Sequence, residues 1–324
     1  MESTIFGNSN LTKFQNESKM NTMIIYETVI ASVLTISVIA SWISNLGIIV
    51  VFVKYKCLRT KHDMLVINLA FTNLIITVGI SFYSTYTLHP GDIFHTKIVC
   101  MALFICIFGG ILTSLLVLLF LALERYLCIL HPEIHIKIKR RHVIICSILA
   151  YIIGITYTMM PFIFKNHWDR YHLCVVNVFP FEFSIAEQVC GSVIITIILI
   201  INVIVLKVAL SHASKINRLL KNVQNKHRKK HRRQKGKAFV TVFLLSGISV
   251  ICWIPVLVVF AIESDPDLDG SYRWIFTQLL YVPLSLNTSV TAIIIGHRNR
   301  HFRDAIASMV CRRQHKCNRV NMGY

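Results

Sequence analysis

The chain has 324 residues, of which 55% are hydrophobic and 15% are charged, and its 34 Lys and Arg outnumber 15 Asp and Glu to give a net charge of +19. Together with a mean hydropathy of +0.61, this composition excludes an ordinary soluble globular protein and predicts a membrane protein.

The apolar residues are concentrated in seven segments that contain no Asp, Glu, Lys or Arg. These segments, numbered helix 1 to helix 7, are residues 30–53, 64–86, 98–123, 143–164, 188–206, 238–262 and 274–296. Each is close to the roughly 20 residues that a helix needs to cross a hydrocarbon core. Helices satisfy their own backbone hydrogen bonds in lipid, so the sequence predicts an all-α membrane protein with a seven-transmembrane helix bundle over residues 26–296.

Positive charge marks one side of the membrane. Of the 34 Lys and Arg residues, 28 lie at residue 125, in the loops 53–64, 130–142 and 207–237, or after residue 296. The positive-inside rule places these segments in the cytoplasm, with the N-terminus outside and the C-terminus inside the plasma membrane. The run "KHRKKHRRQKGK" lies in the third loop, so we expect it to contact anionic membrane lipids and not nucleic acid.

Residues 1–25 are predicted to form a polar extracellular tail. Two sequons in this tail, at Asn10 and Asn16, are candidate glycosylation sites. The tail lacks the pattern of a cleavable signal peptide, so we expect helix 1 itself to direct membrane insertion.

Two of the ten cysteines are predicted to lie in the outer aqueous layer. Cys100 is at the outer end of helix 3, and Cys174 is in the loop before helix 5. An oxidising exterior favours a disulfide between them.

The segment after helix 7 has a different pattern. Apolar residues recur at helical spacing opposite arginines over residues 297–310, which predicts an amphipathic eighth helix on the inner membrane surface. In the cytoplasmic tail that follows, residues 311–324, Cys311 and Cys317 are candidate palmitoylation sites.

Several short strings occur in a fixed order along the helices. They are "SNLGIIVVF" in helix 1, "NLAFTN" in helix 2, "ALERYLCILHP" at the inner end of helix 3, "CWIP" in helix 6, "LNTS" in helix 7 and "NRHFR" after it. Along nearly the whole chain, this set resembles the rhodopsin-like (class A) G-protein-coupled receptors. The resemblance implies a receptor that signals through heterotrimeric G proteins. We therefore expect no enzymatic activity, no cofactor and no metal site.

The resemblance assigns roles to two groups of residues. Glu124, Arg125 and Tyr126 occupy the Asp/Glu-Arg-Tyr positions at the inner end of helix 3, where the Arg contacts the G protein in the active state. Trp253 and Pro255 occupy the Cys-Trp-x-Pro positions, where a proline permits a kink and the indole links ligand binding to helix movement.

Polar residues are also predicted at mid-membrane depth. The expected cluster consists of Asn45, Asn73, Ser114, Asn287 and Thr288. Asn73 stands where the family usually has an Asp that holds a sodium ion. Because Asn is neutral, we expect a hydrogen-bonded cluster without sodium regulation.

The sequence departs from the family in its activation motifs. Helix 5 lacks the usual Pro and Tyr, and Thr291, Ala292 and Ile295 replace the Asn, Pro and Tyr of the Asn-Pro-x-x-Tyr motif in helix 7. Tyr151 replaces the helix 4 Trp. No acidic residue occurs between residues 188 and 262, so helix 6 offers Arg125 no carboxylate, which predicts appreciable basal signalling.

The ligand is only partly constrained by the sequence. Helix 7 contains no Lys, which argues against a retinal Schiff base, and Ile107 occupies the position of the Asp that binds amines in aminergic receptors. Glu187 and Glu182, above Trp253, are candidates to receive a cationic small molecule or a basic peptide. A lipid ligand stays open, because some lipid-responsive receptors also lack the helix 5 proline.

Two functional classes remain. The first is a signalling receptor coupled to a G protein. The second is a seven-helix protein without coupling, namely a scavenger, an atypical receptor or a transporter, although the helix repeats and intramembrane charges of transporters are not seen. None of the fourteen histidines lies in the middle of a span, which argues against a membrane zinc hydrolase.

Overall fold

A computed structural model of the chain describes residues 3–55, 60–88, 96–164, 180–219, 247–249, 251–255, 258, 270–298 and 303, most of which are helical. The long helices are Ser3–Lys54 (helix 1), Lys61–Leu88 (helix 2), Lys97–Leu130 (helix 3), Arg140–Phe164 (helix 4), Phe181–Leu219 (helix 5) and Gly270–Arg298 (helix 7). Residues 247–249, 251–255 and 258 are the helical parts of helix 6 that the structure describes.

Six of these helices contain a stretch that is long and apolar enough to cross a membrane. The stretches are Thr28–Lys54, Lys61–Thr85, Lys97–Leu130, Arg140–Phe164, Ile185–Val208 and Leu279–His297. Each overlaps one of the predicted segments, so the prediction of an all-α transmembrane bundle is confirmed. The predicted segment 238–262 is described only in part.

Two helices extend beyond their predicted ends. Helix 1 begins at Ser3, so it also contains residues 3–25, which were predicted as a polar extracellular tail. Helix 5 continues to Leu219, so the first part of the predicted loop 207–237 is also helical. Neither helix contains a proline, and the added segment of helix 5 is rich in Ala, Leu and Lys, which favour helix. Loss of apolar character therefore marks the end of a span but not the end of its helix.

Helix 3 is the central element of the described bundle. It packs against helices 2, 4 and 5, while helix 1 packs against helices 2 and 7. Buried residues recur at every third or fourth position of helix 1, as expected for one face of an α-helix. Its members are Ile30, Leu34, Ser37, Ser41, Asn45, Ile48 and Val51. Large exposed isoleucines cover the outer faces of helices 1 and 4, where a bilayer supplies the apolar contact.

Helix 3 is interrupted by one π-helical turn, Ile105–Gly109. This turn lies where helices 2 and 4 approach closely. A Cβ on Gly79 of helix 2 would lie 2.6 Å from the side chain of Ile107, and a Cβ on Gly154 of helix 4 would lie 2.6 Å from the carbonyl oxygen of Gly109. Small residues at these positions allow the close backbone contact that membrane helices use for packing.

A short helix, Pro132–Lys137, follows helix 3 on its predicted cytoplasmic side. Pro132 occupies its first turn, where the missing N–H leaves no hydrogen bond unmade. We call it the loop helix. It lies against the inner end of the bundle and positions part of the candidate site.

Candidate functional site

The inner end of helix 3 carries a cluster of charged and ionisable side chains around Glu124. Oε2 of Glu124 lies 3.5 Å from Nε of Arg125 and 3.4 Å from Nδ1 of His62, and Oε1 lies 3.2 Å from Nε2 of His135. Helix 2 supplies His62 and the loop helix supplies His135. We call these four residues, Glu124, Arg125, His62 and His135, the inner cluster.

Further contacts fix the loop helix to helix 2. Nζ of Lys61 donates to the carbonyl oxygens of His135 at 2.8 Å and Ile138 at 2.9 Å, which satisfies two acceptors at the C-terminal end of the loop helix. Lys61 is itself held at the start of helix 2, where Thr60 and Asp63 cap each other. Thr60 Oγ1 lies 2.5 Å from the Asp63 carboxylate, and the Asp63 N–H donates to Thr60 Oγ1 at 3.2 Å.

Tyr126 does not join the inner cluster. Its ring packs against the imidazole of His131, with the ring centroids 5.7 Å apart. It therefore supports the junction between helix 3 and the loop helix.

The predicted mid-membrane polar residues form two groups on either side of helix 7. The first links helices 1, 2 and 7. Asn45 Nδ2 donates to the carbonyl oxygens of Ser41 at 2.9 Å and Thr288 at 3.3 Å, and Asn73 Nδ2 donates to Asn45 Oδ1 at 3.3 Å. Ser41 Oγ also lies 2.7 Å from Thr77 Oγ1 and 3.1 Å from Thr288 Oγ1. We call this group the hydroxyl ladder.

The hydroxyl ladder continues outward between helices 1 and 7. Ser37 Oγ lies 2.6 Å from Ser285 Oγ, and both residues are buried. All the members of the ladder are therefore satisfied by one another, which is what low-dielectric surroundings require of buried polar groups.

The second polar group joins helix 6 to helix 7. Ser249 Oγ and Thr291 Oγ1 donate to Asn287 Oδ1 at 3.3 Å and 3.4 Å. Ser114, the remaining predicted member, lines a small cavity of about 20 Å³ together with Ser249, Asn287 and Thr288. A cavity of this size holds about one water molecule. Asn287 thus bonds toward helix 6, whereas Thr288 bonds toward helix 1 and also lines the cavity.

Trp253 lies at the wall of this cavity. Its indole is 8% exposed, and its Nε1 finds no hydrogen-bond partner among the described residues. The ring lies against helix 5, where a Cβ on Gly191 would be 2.5 Å from Trp253 Cζ2. Pro255, two residues further on, is exposed on the outer face of helix 6.

At the outer end of the bundle, Glu187 of helix 5 is half-buried and Glu182 is exposed. The ring of Phe183, one helical turn before Glu187, packs on Tyr157 of helix 4, with centroids 4.8 Å apart. Ile107 is fully buried within the π-helical turn.

Cys100 is fully buried and disulfide-bonded. Its expected partner, Cys174, lies outside the described residues, as do Cys311, Cys317 and most of the predicted eighth helix. The backbones of Asn10 and Asn16 are helical, and their side chains lie outside the description.

Comparison with protein families identifies the fold. The model of the 7 transmembrane receptor (rhodopsin family) matches residues 44–295, which include the inner cluster, Trp253 and the hydroxyl ladder apart from Ser37 and Ser41. The chain belongs to this family of rhodopsin-like receptors.

One curated relative is the visual pigment-like receptor peropsin of Mus musculus. The two sequences are 31% identical over 138 residues, which are 42% of this chain. The aligned part spans 40% of the length of peropsin.

One departure from the family pattern makes defined contacts. Tyr151, which stands in place of the usual helix 4 Trp, links helix 4 to helix 2. Its hydroxyl lies 2.8 Å from Thr72 Oγ1 and 3.1 Å from Asn68 Oδ1, and its ring packs edge-on against Phe71.

The altered motif in helix 7 is buried. Thr291, Ala292 and Ile295 are 2%, 2% and 3% exposed, so the segment packs tightly in the bundle without the motif's Pro and Tyr. Helix 7 does contain a proline, Pro283, but it lies nine residues before Ala292.

Sequence reasoning missed several residues of these sites. His62 and His135 approach Glu124 from two different elements, and nothing in their sequence spacing indicates this. Ser37 and Ser41 were more accessible to prediction, because their four-residue spacing to each other and to Asn45 places all three on one helix face.

Proposed function

We propose that this membrane receptor resides in the plasma membrane, with its N-terminus outside, and activates heterotrimeric G proteins through Arg125. The observation that carries the proposal is the loose hold on Arg125. Its described ion pair is a single contact of 3.5 Å, made through Nε to a carboxylate that His62 also approaches. A two-point Arg–carboxylate pair is much stronger, so a guanidinium held in this way is available for a partner.

The sequence of helices 5 and 6 supports the same conclusion. No Asp or Glu occurs between residues 188 and 262, so helix 5 beyond Glu187 and the predicted helix 6 offer Arg125 no second carboxylate. Without such a clasp, the inactive arrangement is stabilised less, and part of the population adopts the coupling-competent one in the absence of ligand. We therefore propose appreciable basal signalling.

The decisive experiment compares the wild type with Arg125→Ala at equal surface expression. Basal nucleotide exchange is measured on each family of heterotrimeric G protein. We expect exchange to fall to the background of untransfected cells with Arg125→Ala. A matched control is Arg303→Ala, at a described arginine beyond helix 7 that lies outside the inner cluster, and it should retain exchange.

The alternative is a seven-helix receptor without coupling, such as a scavenger or atypical receptor. Burial of Ala292 and Ile295 in place of the motif's Pro and Tyr favours it, because this part of helix 7 lacks the phenol that the family uses in switching. Equal basal exchange in the wild type and Arg125→Ala would support this alternative.

For the ligand, we propose a cationic small molecule or basic peptide that reaches Glu187. The supporting observation is that the half-buried carboxyl group of Glu187 is one helical turn from Phe183, whose ring packs on Tyr157, because carboxylates and aromatic faces both attract cations. A lipid is the competing class. Absence of Lys in Gly270–Arg298 argues against a retinal Schiff base on helix 7.

Substitution of the two outer glutamates tests the ligand class. A panel of amines, basic peptides and lysolipids is screened on wild type, Glu187→Gln and Glu182→Gln. We expect cationic compounds to lose at least about tenfold in potency with Glu187→Gln, about 1.4 kcal/mol, and little with the exposed Glu182→Gln. Responses to lysolipids alone, unchanged by Glu187→Gln, would reverse the assignment.

A further inference from the structure

The inner cluster contains more potential positive charge than its single carboxylate can pair with. Glu124 faces one permanent cation, Arg125, and two imidazoles, His62 and His135. The four side chains are only 8–23% exposed, so water screens them weakly. The charge state of the imidazoles therefore decides how strongly Glu124 holds Arg125.

The contacts at Oε2 of Glu124 are within ion-pair distance but lack hydrogen-bond geometry. This oxygen, Nδ1 of His62 and Nε of Arg125 are buried, and none of the three has a hydrogen-bond partner among the described residues. The other carboxylate oxygen is held differently, because Oε1 lies within hydrogen-bond distance, 3.2 Å, of Nε2 of His135. His62 and Arg125 thus compete for one oxygen, while His135 holds the other.

The neighbouring charged groups are engaged elsewhere. Lys61 donates to the carbonyl oxygens of His135 and Ile138, and Asp63 is bound by its cap with Thr60. Glu133 and Lys137 of the loop helix are exposed. Within the described part of the chain, the ion pairs of Glu124 are therefore those with His62, His135 and Arg125.

We propose that His62 and His135 are positioning residues for Glu124 that make the release of Arg125 depend on cytosolic pH. Imidazole gains a positive charge as pH falls through the range 8 to 5. Protonated His62 and His135 pair with Glu124 and repel the guanidinium, so Arg125 is freed in acid. The same protonation strengthens the bond between His135 and Glu124, which fastens the loop helix to helix 3. The coupling part of this inference rests on the proposed function; the fastening of the loop helix does not.

The experiment uses the full-length receptor, purified into lipid nanodiscs, between about pH 5 and about pH 8, where histidine changes charge. Hydrogen–deuterium exchange of residues 126–138, corrected for the intrinsic effect of pH, reports the loop helix without any G protein. Basal nucleotide exchange on an added G protein reports Arg125. On acidification of the wild type, we expect severalfold slower amide exchange in the loop helix and severalfold faster nucleotide exchange.

Three variants separate the inner cluster from other histidines. His62→Gln with His135→Gln keeps hydrogen-bonding side chains but removes both titrating groups, and it should flatten both pH responses. Glu124→Gln removes the shared partner and should flatten the amide-exchange response as well. His142→Gln is the matched control, because His142 is exposed and its Nδ1 accepts from the Lys139 N–H. It should behave as the wild type.

Two results would contradict one or the other of these proposals. A pH response of the loop helix that persists in the double glutamine variant, or is absent from the wild type, overturns the inference. A pH-dependent loop helix with no nucleotide exchange at any pH supports the positioning role and contradicts the proposed G-protein coupling instead.

Discussion

At the scale of single residues, Tyr151 links helix 4 to helix 2 through its hydroxyl. Its hydroxyl meets both Asn68 and Thr72 of helix 2, while Tyr157 of the same helix has a hydroxyl with no hydrogen-bond partner among the described residues. Tyr151→Phe should therefore lower the free energy of unfolding by about 1 kcal/mol, since the hydrogen bonds between its hydroxyl and helix 2 are lost. Tyr157→Phe should leave it almost unchanged. Thermal unfolding in nanodiscs measures both, and equal losses would contradict this account.

Residue-level prediction from the sequence had a clear limit. Glu124 and Arg125 are adjacent, so their proximity required no knowledge of the fold. The approach of His135 depends on how the loop helix folds back onto helix 3, and that of His62 depends on the packing of helix 2. Long-range contacts of this kind follow from tertiary structure and not from local pattern.

At the scale of helices, the contact between helix 5 and helix 6 depends on one glycine. Gly191→Ala places a Cβ 2.5 Å from the indole of Trp253, so the ring must move or the helices must separate. Gly47→Ala in helix 1 meets nothing within 4 Å, and both changes gain the same helix propensity of up to about 1 kcal/mol.

We therefore expect Gly47→Ala to be neutral or slightly stabilising and Gly191→Ala to destabilise by about 1–3 kcal/mol, as overpacked cores do. Gly191→Ala should also change basal signalling, because Trp253 is displaced. Thermal unfolding and basal nucleotide exchange at equal expression test this pair. Identical behaviour of the two alanine variants would show that Trp253 does not depend on the space at Gly191.

The helices themselves were largely predictable, because a bilayer imposes a minimum apolar length on every span. Their true ends were not, since helix 5 continues through Lys207–Leu219 after its apolar character is lost. The π-helical turn in helix 3 was also absent from the prediction. It contains no proline and keeps the apolar composition of its surroundings, so no sequence signal marks it.

At the scale of the whole molecule, the hydrogen bonds of the hydroxyl ladder join helices 1, 2 and 7 into one unit. Ser37 and Ser285 at its outer end have side-chain oxygens 2.6 Å apart. Paired cysteines at these positions should form a disulfide on mild oxidation. If helices 1 and 7 stay together during signalling, the cross-linked receptor should keep the basal nucleotide exchange of the reduced one. Mass spectrometry verifies the bond, with Ser37→Cys alone as the control, and lost exchange on oxidation of the pair would show that these helices must separate.

The π-helical turn has a further consequence for how ligands of this receptor are sought. A regular α-helix rotates by about 100° per residue, so one additional residue in a turn rotates everything beyond it by that angle. Positions can be counted outward from Arg125 as though helix 3 were regular. Each position beyond Gly109 is then rotated relative to the same position in a receptor whose helix 3 has no π-helical turn. Ile107, assigned by such counting to the amine-binding position, lies within the turn and is buried against Gly79. Candidate ligands taken from known receptors should accordingly be chosen by superposing the binding sites in space. They should not be chosen by aligning residue numbers.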